Sequence, residues 1–131
     1  MSDDSQRNLV EFTSPLGYAA ILARINDAIA SAGLTVFATI DHAKGAAQAG
    51  LAMPPTAALI YGNPKGGTPT MLAAPAAALE LPLRVLVREV EAGTSVSFHP
   101  IAPLLRRAGV PDGLANALNG AQSLIAKAVQ S

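Results

Sequence analysis

Between Ala28 and Leu79 the charged side chains are Asp41, Lys44 and Lys65 and no others. A stretch this long and this poor in charge cannot lie across a solvated surface without exposing a large apolar patch. It therefore belongs to a core, a subunit contact or a pocket wall, and the rest of the chain must be arranged around it. The material is sufficient. The 131 residues are half apolar and 14% charged, which is one domain's length with enough apolar content for a core. Aromatics are few (Phe12, Phe37, Phe98, Tyr18, Tyr61) and tryptophan is absent, so the core must be packed with Ala, Val, Leu and Ile.

Nine basic residues balance nine acidic ones. Without a positive field there is no electrostatic case for nucleic acid, and near-zero net charge favours self-association. Cysteine is absent, which excludes disulfides, thiolate catalysis and cysteine-held metals. The start, "MSDDSQRNLV", is polar and acidic, unlike a signal peptide, and no apolar run is long enough to span a bilayer. A cytoplasmic protein without a membrane partner is expected.

Punctuation predicts the elements. "NLVEFTS" alternates as a short strand with Val10 and Phe12 on one face. In "SPLGYAAILARINDAIASAG", Ser14 can cap a helix, Pro15 suits its first position and Gly33 its end. Ile21, Ile25, Ala28, Ile29 and Ala32 share one side of it. "LTVFATID" is a β-branched strand with Val36, Ala38 and Ile40 on one side, and Asp41 can cap the alanine-rich "HAKGAAQAG". After Pro54-Pro55, "TAALIYG" is a continuous apolar run, as in a strand covered on both faces. Asn63 to Pro82 is broken by Pro and Gly, with one or two helical turns. "LRVLVREVEAGTSVSFHP" is a hairpin with Leu83, Val85, Val87, Val96 and Phe98 on one face, Arg84 and Arg88 on the other, and its turn at Glu91-Ala92-Gly93. "IAPLLRRAG" is a short helix. Asp112 caps a final one within 110–131, with Leu114, Leu118, Ala121, Ile125 and Ala128 along one stripe. The order strand, helix, four strands, helix implies an α+β fold. Its antiparallel sheet would have four to five strands, with helices on one face. The other face is left for a pocket, a dimer contact or an unusually polar sheet.

Taken in order, "LTVFATIDHAKGAAQAGL", "PPTAALIYGNPKGGTPTM" and "ALELPLRVLVREVEAGTSVSFHP" resemble the bacterial and archaeal DUF302 family, a domain of unknown function. The resemblance covers roughly Phe12 to Gly109, with Ile40-Asp41-His42, Gly62-Asn63-Pro64 and Leu81-Pro82-Leu83 its most specific pieces. It implies one domain over 1–131, with 1–7 as a polar leader, a TBP-like β-α-β4-α fold and frequent dimers. It implies no catalytic residues and no DNA binding. Arg88 and Phe98 depart from the family pattern, where an aromatic and a tyrosine are common. A ligand held by those aromatics would lose them here.

The stretch "GNPKGGTP" tests as a phosphate loop and fails. Gly62 and Gly67 have Walker-type separation, but Thr68 stands in the lysine's place and Lys65 comes too early. A weaker anion site survives if Thr68 caps a helical turn with Pro69 at its first position, leaving free amides beside Lys65. The competing reading is a rigid turn in which Asn63 bonds the backbone and Gly66-Gly67 take positive φ. Asp41-His42 reads as a helix cap and first turn, since neighbouring residues at a strand end point apart. Its functional reading puts His42 in one cavity with Asn63. His99 before Pro100 reads as a loop residue, Glu89 and Glu91 as solvated partners of the nearby arginines, and Ser14, Ser95 and Ser97 lack a nucleophile's setting. No ligand spacing supports a metal, and no cofactor is indicated.

The expected site is Asp41, His42, Asn63, Lys65, Gly66, Gly67 and Thr68. The expected function is a dimeric, non-catalytic domain holding a small anionic ligand. Two alternatives stand beside it: an enzyme with His42 as general acid-base, and an adaptor that binds through the final helix or the open sheet face.

Overall fold

The computed structural model describes residues 8–130. Five strands form one antiparallel sheet in the order β1-β5-β4-β3-β2: β1 (Val10–Ser14), β2 (Thr35–Asp41), β3 (Thr56–Gly62), β4 (Leu83–Val90) and β5 (Gly93–Phe98). The helices are α1 (Tyr18–Ser31), α2 (His42–Gln48), α3 (Pro64–Ala73), α4 (Ile101–Arg107) and α5 (Asp112–Gln130), with a 3-10 turn at Pro75–Leu79. The α+β class and the sheet are as the sequence implies, but the run of four strands is interrupted by α2 and α3.

One sheet face is a core. Ile21, Ile25 and Ile29 of α1 lie at successive helical turns and pack with Leu59, Val85, Val87 and Val96. α5 runs beside α1 and adds Ala115, Ile125 and Val129. Of the stripe the sequence marks, Ile125 is buried in this core, whereas Leu114, Leu118 and Ala121 are only half-buried. α1 ends where the sequence predicts. Gly33 has φ +76°, and the Leu34 and Gly33 amides donate to the Ile29 and Ala30 carbonyls, closing a Schellman turn.

The start of α1 differs. Ser14 is still a strand residue paired with Thr94, its Oγ accepts from the Leu16 amide, and the helix begins at Tyr18 after Gly17. Sheet pairing therefore wins over the Ser-Pro helix signal. At the other end, Asp112 is the first residue of α5, and its carboxylate accepts from Arg106 at 3.1 Å instead of capping.

β2 also breaks its expected alternation. A bulge between Val36 and Ala38 shifts the register, so Val36 pairs with Tyr61 while Ala38 and Ile40 pair with Ile60 and Ala58. Val36 consequently joins the core side and Ile40 is left 46% exposed on the other. β3 is covered on one face only: Ala57, Leu59 and Tyr61 are buried, whereas Thr56, Ala58 and Ile60 are half-buried. The hairpin follows the expected pattern, with Val90 paired to Gly93. On its outer face Arg88 reaches across β5 to Glu11 at 3.2 Å, and Ser95 Oγ donates to the same carboxylate oxygen at 2.6 Å. The ion-pair partner of Arg88 is thus Glu11 on β1, not the neighbouring Glu89 or Glu91.

Candidate functional site

The glycine-rich segment folds as a helix. Asn63 leaves β3 in extended conformation and caps α3: its Oδ1 accepts from the Lys65 amide at 2.9 Å, and its carbonyl accepts from the Gly66 and Gly67 amides. Pro64 takes the first helical position, where a missing N–H costs nothing. Thr68 and Pro69 lie inside the helix, so Thr68 is not its cap. Gly66 and Gly67 are helical, so they do not supply positive φ to a turn. The free amides proposed for an anion are already bonded to Asn63. Pro69 removes one internal helical hydrogen bond, and the next residue, buried Thr70, donates its hydroxyl back to the Gly66 carbonyl at 3.3 Å.

α3 walls a cavity of about 530 Å³. Its opposite wall is the N-terminal half of α5, through Leu114, Ala117, Leu118 and Ala121. Leu81, Pro82 and Leu83, where β4 begins after a cis Leu81-Pro82 bond, form the floor with Gly62. Leu34 and Phe37 close one side, and Met71 projects from the α3 wall. The volume lies within the range of small-molecule sites. Among the described residues lining it, Lys65 alone is charged, and Asn63 and Thr68 are the polar side chains. Most of the lining is apolar. Phe37 owes its place to the β2 bulge; its ring lies 3.6 Å from where a side chain on Gly62 would begin.

The expected site residues do not all meet. Asn63, Lys65, Gly66, Gly67 and Thr68 line this cavity; Asp41 and His42 do not. The antiparallel register explains why. Asp41 pairs with Ala57 at the beginning of β3, whereas Asn63 follows its end. Seven-residue strands hold these points roughly 20 Å apart. Asp41 does what a cap does, accepting from the Lys44 amide at 2.9 Å. His42 is exposed in the first turn of α2, so a shared His42–Asn63 cavity is ruled out. Asp41 also lies near Tyr18, whose phenol is raised above its ordinary pKa chiefly by burial and secondarily by the Asp41 charge.

The apolar wall was missed in the sequence as a site. Its signals were present, in the charge-poor segment and in the Leu114–Leu118–Ala121 stripe, but both also describe an ordinary core. A second hollow of about 290 Å³ lies near Glu80, Arg84, His99 and Gln122. There the His99 Nδ1–H donates to the Asn8 carbonyl at 2.9 Å. Among the described residues no group of three or more His, Cys, Asp or Glu side chains could hold a metal. None of the described helices is long and apolar enough to cross a membrane.

Comparison with known proteins agrees with this architecture. The structure superimposes on the crystal structure of an uncharacterised conserved DUF302 protein from Bacillus stearothermophilus. The TM-score is 0.79 at 14% identity, over 93% of this chain and 95% of that one. Among curated proteins, 85 residues are 39% identical to the fluoride-specific ion channel FluC 1 of Brucella suis biovar 1, covering 65% of this chain and 34% of that protein. FluC 1 of Brucella abortus biovar 1 and FluC 2 of Brucella melitensis biotype 1 match to the same extent over 32% of their length. The chain thus spans about a third of the curated relatives it matches. The model of the family described as domain of unknown function DUF302 matches residues 10–131, from the first residue of β1 onward, and the chain belongs to that family.

Proposed function

We propose that the chain is a non-catalytic binding domain whose ligand is a small, mainly apolar molecule carrying one acidic group. The observation that carries this reading is the 530 Å³ cavity with apolar walls and Lys65 at its α3 side. The apolar body of such a ligand would be driven in by burial, at about 25 cal/mol per Å² before ordering costs. Lys65 would hold the acidic end, with Asn63 and Thr68 beside it. Binding rather than turnover is favoured because Lys65 is the single titratable group on the lining among the described residues. The test is titration with anilinonaphthalene sulfonate, an apolar anion, followed by its displacement with aliphatic and aromatic carboxylic acids. Saturable one-site binding with displacement supports the reading, and failure of every compound to bind sinks it.

The domain is further proposed to act as a cytoplasmic homodimer. Its balanced charge and the exposure of Ile40 on the edge strand β2 support this. Light scattering should give twice the chain mass, and Ile40→Glu should halve it. A monomer at the outset would remove the proposal.

The 85-residue match to the Brucella channels favours a second reading, that the domain serves beside a membrane ion-transport protein. Fluoride itself suits the cavity poorly. A small, strongly hydrated anion needs several donors to replace its water, and the α3 amides that could supply them are bonded to Asn63. Sodium fluoride should therefore leave bound dye in place; displacement at millimolar fluoride would favour the transport reading.

A further inference from the structure

Gly66 and Gly67 are the third and fourth residues of a ten-residue helix that also contains Pro69. Each helix-interior glycine disfavours the helix by about fivefold relative to alanine. Two common reasons for a glycine do not apply. Neither residue has positive φ. Neither is pressed by a neighbour: a Cβ on Gly66 would lie 3.8 Å from Leu118 Cδ2, and one on Gly67 would lie 3.9 Å from Met71 Cε and 4.0 Å from Leu81 Cδ1. Those are ordinary contact distances, so alanine fits at both. What the pair does is leave bare backbone on the cavity wall, because both residues line it.

We propose that Gly66 and Gly67 are specificity-determining positions, at which the missing side chains reserve space for the apolar body of an amphipathic acid. The proposal rests on the binding reading above and adds which residues set the size of ligand admitted. Since a Cβ at either position already touches Leu118, Met71 or Leu81, atoms beyond it must take cavity volume. Ligand size should then trade directly against side-chain size at residue 67. Lys65, one and two residues away, fixes which end of the ligand carries the charge.

The experiment compares wild type, Gly67→Ala, Gly67→Leu and Gly45→Ala, the last being a helical glycine in α2 with open space around it. Each is melted thermally and titrated with anilinonaphthalene sulfonate. The expected result is a melting temperature equal to or above wild type for all three variants. Dye affinity should fall a few-fold for Gly67→Ala and at least tenfold for Gly67→Leu, and stay unchanged for Gly45→Ala. A folded Gly67→Leu that binds as wild type does overturns the inference and leaves the binding reading standing. A Gly67→Ala protein that melts below wild type also overturns it, since the helix itself would then require glycine. Wild type that binds no dye and no acid overturns both.

Discussion

Gln122, buried in the middle of α5, accepts the Ile101 amide hydrogen at 2.9 Å and so satisfies the first turn of α4. Its Nε2 donates at 2.9 Å to the His99 carbonyl, so one amide group pins both sides of the β5–α4 corner. Gln122→Leu keeps the volume but leaves a buried donor and an acceptor unpaired. The expected loss is about 2–3 kcal/mol, read as a lower midpoint in urea denaturation at unchanged slope. A loss below about 0.5 kcal/mol would mean that water substitutes for the side chain.

Gly93 is the position where glycine is obligatory. Its φ is +138°, and a Cβ there would clash with the Ser14 carbonyl oxygen. Gly93→Ala must displace β1 or the hairpin turn, at an expected cost of about 3 kcal/mol or more. Gly120→Ala, on α5 with open space around it, should instead stabilise by about 0.5–1 kcal/mol. Equilibrium denaturation of the two variants side by side should move the midpoint in opposite directions.

Tyr61 is fully buried, and its hydroxyl has no partner among the described residues. Burial raises its pKa above the ordinary phenol value of about 10. The neutral form is the one the fold tolerates. Stability from this group is therefore complete below about pH 10 and is lost as pH rises above it. Tyr61→Phe removes an unpaired polar atom and should be neutral or stabilising by up to about 1 kcal/mol. It should also flatten the loss of stability between neutral and strongly alkaline pH. An equally steep alkaline loss in the variant would assign the effect elsewhere, with Tyr18 the next candidate.

Lys65→Gln should weaken binding of apolar acids about threefold to fivefold, the scale of an exposed ion pair, and leave uncharged analogues unaffected. In wild type the same increment should vanish in molar salt. Equal losses for charged and neutral compounds would show that Lys65 acts through its alkyl stem.

The sheet, the hairpin and the end of α1 were legible because alternation, a glycine-containing turn and a helix-ending glycine each have one local solution. The start of α1 was not, because whether Ser14 caps a helix or continues a strand depends on Thr94, eighty residues away. α3 was obscured for a different reason. Asn63 and Thr68 are both good caps, and glycine and proline at 66, 67 and 69 argue against any helix between them; contacts with α5 and the 3-10 turn settle the matter. The site was half legible. Residues 63 to 68 stood together because they are contiguous, but joining them to Asp41 and His42 needed a strand direction that composition does not encode. The reverse holds for Phe37, which reaches the cavity through a one-residue bulge that no alternation pattern announces.

The β2–β3 pairing leaves the chain with two ends that do not communicate by contact. Substitutions around His42 and substitutions around Lys65 are separated by far more than the distance over which side chains usually couple. Their free energies should add: the double change His42→Ala with Lys65→Ala should cost what the two single changes cost together. Each end of this strand pair is therefore free to change its chemistry without renegotiating the other.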